Sequence, residues 1–207
     1  MNTVKLGFAD TFECTKLFFT DVLSKRYSVI RDDENPDYLI FGDRNFGEDN
    51  LKFNNKNVIK IFFTGENQRP WEYACHYAFS FDHVDDERQF RLPLYVLYEF
   101  ENQIMHRNKR SIDDNTDKKF CSFIQKNPYP EKRNWYFHEL SKYKQIESSG
   151  PFLNNTGVTP VGTPGKIDLM SEYKFNLCFE NISFPGYCTE KLFESLCAKT
   201  IPIYWGS

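Results

Sequence analysis

Short apolar, β-branched and aromatic runs separated by polar stretches recur along the first half of the chain, and this alternation predicts an α/β domain. Strands are expected over residues 4–8, 27–30, 37–41, 58–63 and 77–81, with the run VIKIFF the densest in β-formers. A helix over residues 15–23 offers Leu17, Phe18, Val22 and Leu23 to a core, and a second helix follows over residues 94–107. The stretch 108–119, NKRSIDDNTDKK, has no apolar pattern and marks a linker, dividing a domain of residues 1–110 from one of residues 120–207. After it come a strand at 120–124, an Asn-Pro turn, a helix at 132–144, a Gly/Pro-rich loop at 150–166 and a short helix at 167–173. The chain then closes on one βαβ unit: a strand at 175–179, a helix at 189–198 with apolar residues 192, 193, 196 and 197 on one face, and a strand at 201–205 expected to lie inside its sheet.

Ligands of open parallel sheets sit beyond the carboxyl ends of the strands, so the loops after these runs are where chemistry is expected. Thr189 suits an N-cap and Glu190 suits the positive end of a helix dipole, but Lys191 puts a cation in the first turn, where it is disfavoured. A lysine among free backbone N–H groups makes an anion seat, and Tyr187 and Glu190 could hold a sugar hydroxyl; the alternative is a solvated lysine on an ordinary helix. Lys132 and Arg133 repeat the pattern at another helix start after a strand. Glu66, in the turn Thr64-Gly65-Glu66-Asn67 at the end of VIKIFF, stands where an α/β sheet places functional side chains, although solvated turn acids are common.

Composition narrows the partners. A net charge of −3 without a dense Lys/Arg run disfavours nucleic acid and anionic membrane. The N-terminal stretch lacks the basic start and apolar core of a signal peptide, and no apolar run reaches the length of a membrane span, so no anchor is expected. The six cysteines form no CxxC pair and read as free thiols. No Asp-x-Asp, no His/Asp cluster of ligand spacing, no G-x-S-x-G and no HExxH is present, so neither a metal site nor a hydrolase triad is expected. The abundant Phe and Tyr serve either to pack or to stack on sugars and bases.

Phe179-Glu180-Asn181, Gly186-Tyr187-x-Thr189-Glu190-Lys191 and Ile201-Pro202-Ile203-Tyr204-Trp205-Gly206 together closely resemble the donor-binding signature of the α-1,3-fucosyltransferases, glycosyltransferase family 10, nearest the soluble bacterial members. Thr64-Gly65-Glu66-Asn67, Phe79-Ser80-Phe81-Asp82 and Arg91-Leu92-Pro93-Leu94-Tyr95 are similar to the same enzymes, as is the Asn-Pro loop leading to Arg133-Asn134. The resemblance implies a GT-B-like α/β fold of two Rossmann-like halves: an acceptor-side half, and a donor half that looks cut short after Gly206. It implies GDP-fucose as donor, no required cofactor, an acceptor glycan such as one ending in GlcNAc, and transfer with inversion. Glu66 would then be the catalytic base, Arg133 the grip on the diphosphate, Lys191 a phosphate-binding charge, and Asn181, Tyr187 and Glu190 would position fucose and ribose. A downstream segment or partner chain completing the donor half is expected, as is a cytoplasmic or membrane-peripheral location, with the Golgi as runner-up from family membership. A transferase using another nucleotide sugar, or an inactive sugar-binding fragment, remains as the alternative.

Overall fold

The computed structural model describes residues 1–98, 100 and 117–207. The chain folds as two compact units, Met1–Tyr98 and Glu99–Ser207, each built on its own parallel sheet. The expected linker lies mostly outside the described residues.

In the first unit the apolar runs become strands β1 (Thr3–Ala9), β2 (Ser28–Arg31), β3 (Tyr38–Phe41), β4 (Ile59–Phe63) and β5 (Tyr77–Ser80), joined by β6 (Gln89–Arg91). The sheet order is β2-β1-β3-β4-β5-β6 and every pairing is parallel. Strand β6 escapes sequence reading because it is three residues long at the sheet edge and carries no apolar alternation. Helix α1 (Glu13–Ser24) packs on one face through Phe19, whose ring meets Phe63 and Phe79 at centroid distances of 5.7 and 5.3 Å. Phe18 and Leu23 join that core, but Leu17 and Val22 do not: they are 64% and 44% exposed, because the buried stripe runs through Thr15 and Phe19. The helix expected from residue 94 starts instead as a 3-10 segment, Leu94–Tyr98, which closes the core with Leu94 and Leu97. Most of its remaining expected length lies outside the described residues.

The second unit holds β7 (Lys119–Phe123), α2 (Glu131–Tyr143), β8 (Glu147–Ser148), α3 (Gly162–Met170), β9 (Tyr173–Leu177), α4 (Glu190–Cys197) and β10 (Ile201–Ile203). The sheet order is β10-β9-β7-β8, again parallel throughout, over a core of Phe123, Phe137, Ile146, Leu177 and Phe179. Two boundaries differ from expectation. Helix α3 opens at Gly162 within the expected loop, with Pro164 in its first turn, where a missing N–H costs nothing, and it ends at Met170 so that Tyr173 begins β9. Strand β10 is the edge of this sheet among the described residues, not an inner strand. No described helix is long and apolar enough to cross a membrane.

In both sheets the first strand in sequence lies between the second and the third, which places the topological switch point between β1 and β3 in one unit and between β7 and β9 in the other.

Candidate functional site

Two loops leave the switch point of the second unit, and their side chains meet. After β7 the chain runs through Gln125 and Asn127 into α2, whose third residue is Arg133; after β9 it runs through Glu180 and Asn181. The Arg133 guanidinium is fully buried and donates to Gln125 Oε1 (2.8 Å), Asn181 Oδ1 (2.9 Å) and the Asn127 carbonyl (2.6 Å). An Asx turn, in which Asn127 Oδ1 accepts from the Tyr129 N–H at 2.9 Å, aims that carbonyl. Gly150 makes room for the segment, since a Cβ there would lie 2.3 Å from the Gln125 carbonyl oxygen. Burial lowers the Arg133 pKa to about 10, with Glu180 and Tyr187 pulling it the other way, so the side chain remains a cation at neutral pH. All three of those acceptors are neutral, and no carboxylate among the described residues forms a salt bridge with it.

Lys191 is held differently. Its Nζ donates to Thr189 Oγ1 at 2.9 Å and lies 3.3 Å from Glu180 Oε2 and 3.4 Å from Glu190 Oε1. The anion that its place at the helix start called for is therefore supplied, in this state, by the chain's own carboxylates. Thr189 does not cap α4 with its side chain as expected; its hydroxyl donates to Glu180 Oε2 at 2.7 Å while its N–H donates to Glu180 Oε1 at 2.7 Å. A buried ladder ties this first turn to the sheet: Ser122 Oγ donates to Asn176 Oδ1, Asn176 Nδ2 to Ser195 Oγ, and Ser195 Oγ to the Lys191 carbonyl. Burial alone pushes the Glu190 carboxyl up, but Lys191 and Lys166 outweigh it and hold its pKa below the ordinary value. One turn on, Glu194 is buried with one oxygen on Lys166 of α3 and the other unpartnered, and burial raises its pKa. Tyr187 is buried beside this cluster. Lys132, by contrast, is exposed, its Nζ lying 4.3 Å from the centroid of the Trp205 ring.

Five of the six sequence-predicted residues, Arg133, Asn181, Tyr187, Glu190 and Lys191, thus fall in the second unit. The sixth, Glu66, lies in the first, at the carboxyl end of β4. Its N–H donates to Thr64 Oγ1 (3.0 Å), and that hydroxyl donates to Asp43 Oδ2 (3.0 Å) at the end of β3. Gly65 leaves room in this turn, since a Cβ would lie 2.6 Å from the Leu94 side chain. The Glu66 side chain is half-buried. Sequence reading assigned no task to Gln125 or Glu180. A short-range signal existed for Glu180, an acid at a strand's carboxyl end inside a quoted motif, but none existed for Gln125.

No cluster of three His, Cys, Asp or Glu side chains suited to a metal ion occurs among the described residues. Among the described residues of the second unit, Arg133 and Lys191 are cations carried by the loops and helix starts that follow β7 and β9.

Two family descriptions match the chain: the Alpha-(1,3)-fucosyltransferase FucT N-terminal domain over residues 4–98, and Glycosyltransferase family 10 (fucosyltransferase) C-term over residues 114–207. The chain belongs to glycosyltransferase family 10. The first match ends at residue 98, where the first compact unit also ends. Among family relatives, the chain is 30% identical to the Alpha-(1,3)-fucosyltransferase FucT of Helicobacter pylori over 95% of its own length and 47% of that protein's. It is 37% identical over 59% of its length to a putative fucosyltransferase, R654, of Acanthamoeba polyphaga mimivirus, spanning 22% of the latter. A crystal structure of an alpha1,3-fucosyltransferase with GDP-fucose superposes with a TM-score of 0.77 at 26% identity, covering 100% of this chain and 70% of the other. The pair of parallel α/β units is thus the GT-B fold of that family. The chain spans about half or less of the length of these curated relatives.

Proposed function

We propose that this chain is a fucosyltransferase that binds GDP-fucose through its second unit and transfers L-fucose, with inversion, to a hydroxyl of an acceptor glycan such as O3 of a GlcNAc unit. The observation that carries the reading is Arg133: a buried guanidinium at the sheet's switch point, hydrogen-bonded only to neutral acceptors among its described partners. A cation so placed is suited to a diphosphate, which it can grip bidentately. Lys191 adds a point charge and the start of α4 its N–H groups. Asn181, Tyr187 and Glu190 position the fucose and ribose hydroxyls.

The reaction is one displacement. The acceptor oxygen forms a bond to the anomeric carbon of fucose as the bond from that carbon to the diphosphate oxygen breaks, and GDP leaves with the electron pair. Glu66 takes the acceptor proton. Charge builds on the departing diphosphate, where fixed cations in a site shielded from water are worth several kcal/mol. The relative solved with GDP-fucose supports this donor.

The deciding experiment is calorimetry of GDP, UDP and CDP binding, followed by a GDP-release assay with GDP-fucose and a panel of β-galactosyl-GlcNAc acceptors. GDP alone should bind, and release should depend on acceptor. Equal binding of all three nucleotides, or release that ignores the acceptor, overturns the reading.

A further inference from the structure

Glu180 is the least expected charge in the second unit. It is fully buried, and a carboxylate removed from water is tolerated only when its oxygens are well bonded. Here they are. Oε1 takes the Thr189 N–H at 2.7 Å, Oε2 takes the Thr189 hydroxyl at 2.7 Å, and Lys191 Nζ lies 3.3 Å from Oε2. The backbone is pinned as well, the Glu180 N–H donating to the Trp205 carbonyl at 2.8 Å. Gly206 completes the seat from the other side. A Cβ at Gly206 would stand 2.9 Å from Glu180 Cγ and 2.3 Å from the Tyr204 hydroxyl, so that glycine is required for space, without any special backbone angle.

These bonds put an anion beside a helix start that, on the reading above, must receive a second anion. Judged by charge alone, Glu180 opposes diphosphate binding. What it supplies is placement. Lysine has a long, rotamer-rich side chain, and holding it ready lowers the entropic cost of binding. Thr189 Oγ1 accepts from Lys191 and donates to Glu180, so the hydroxyl relays the carboxylate's position to the ammonium.

We infer that Glu180 is a positioning residue for donor binding: through Thr189 and by direct ion pairing it fixes Lys191, in the first turn of α4, where the donor diphosphate is to be met. The inference rests on the GDP-fucose reading and deepens it.

The test is a double-mutant cycle on GDP binding with the full chain, using Glu180→Gln, Lys191→Met and both together, with a melting curve for each. Glu180→Gln removes a negative charge, so a role in charge balance alone predicts tighter GDP binding, whereas positioning predicts weaker binding. The expected result is a loss of about fivefold to tenfold for each single variant, comparable to one charge-assisted contact. The double variant should match Lys191→Met within about twofold, since Glu180 acts through that lysine. Unchanged or tighter binding by Glu180→Gln, or losses that multiply in the double variant, overturns the inference while leaving the donor reading intact. A parent chain that does not bind GDP removes both. Should Glu180→Gln show no melting transition, Thr189→Val removes the relay and keeps the carboxylate; it should weaken GDP binding in the same direction, and undiminished binding counts against positioning.

Discussion

The two units share a strand order and use it for opposite electrostatic purposes. In the first, the acids at the strand ends are consumed by the scaffold. Asp10, at φ 51°, accepts from the N–H groups of Asp49 and Asn50 and from Asn50 Nδ2; Asp43 takes the Thr64 hydroxyl; Asp82 takes that of Ser80. Its buried lysine, Lys60, is satisfied by the neutral side chains of Asn50 and Asn54 at 3.0 and 2.6 Å, and burial lowers its pKa. In the second unit the corresponding loops bring Arg133, Glu180, Glu190 and Lys191 together from separate elements, where they bond to one another or to neutral partners. Topology fixes where a site can lie, and the charges brought there fix what it can bind. A loop whose acids fasten turns is rigid support for the side chains it carries. A buried cation bonded to neutral side chains is a candidate seat for an anion where it stands at the switch point, as Arg133 does and Lys60, inside β4, does not.

The largest effect that could break this contrast belongs to the first unit. Glu66→Gln keeps size and hydrogen bonding but cannot accept a proton, so fucose transfer should fall by roughly two to four orders of magnitude. Calorimetry should show GDP affinity unchanged. A matched loss of affinity would mean that the two units do not divide the work in this way.

Next is Arg133→Ala in the second unit. Losing a charge-assisted bidentate contact should weaken GDP binding by about tenfold to a hundredfold. Glu66→Gln serves as the control in the same titration, and an Arg133 variant that binds like the parent removes the residue from the site.

A smaller effect separates the glycines. Gly206→Ala should destabilise by about 1–3 kcal/mol through overpacking against Tyr204 and Glu180. Gly65→Ala presses on the Leu94 side chain, which can shift, so its melting temperature should fall less. The reverse order in thermal melts would show that the second unit's charged cluster is not closely packed around Glu180.

The smallest effect is a pH slope. Glu194 has its pKa raised above the ordinary 4.5 by burial, so over that window the native state holds a proton that the unfolded chain has released. Stability from this group therefore rises as pH falls toward 4.5 and is lost as pH rises through the folded value. Glu190, held low, is ionised in both states there and adds nothing to the slope. Glu194→Gln should flatten the dependence of melting temperature on pH above about 4.5, whereas Asp86→Asn, at an exposed acid of the first unit, should leave it in place.

Local pattern alone determined most of the elements. Apolar runs of strand length, separated by polar turns, are buried on parallel sheets wherever they occur, so β1, β3, β4, β5, β7 and β9 follow from side-chain chemistry with boundaries shifted by a residue or two. A cation in a helix's first turn contradicts the dipole, and that conflict, visible in a single window of sequence, marked Lys191 and both Lys132 and Arg133. Only the family resemblance singled out Arg133, and it is Arg133 that the fold buries while Lys132 stays exposed. Strands β6 and β8 were not legible, being too short to carry a period. Nor was the burial of Phe19 in place of Leu17 and Val22, because several helical faces were apolar enough and the sheet chose among them. The placement of Glu180 lay furthest from what a window can show. Its partners Thr189, Lys191 and Gly206 are 9, 11 and 26 residues away, and only the parallel pairing of β9 with β10 brings the last of them against its side chain. A buried charge is acceptable only with its partners in place, and where those partners come from is decided by the fold.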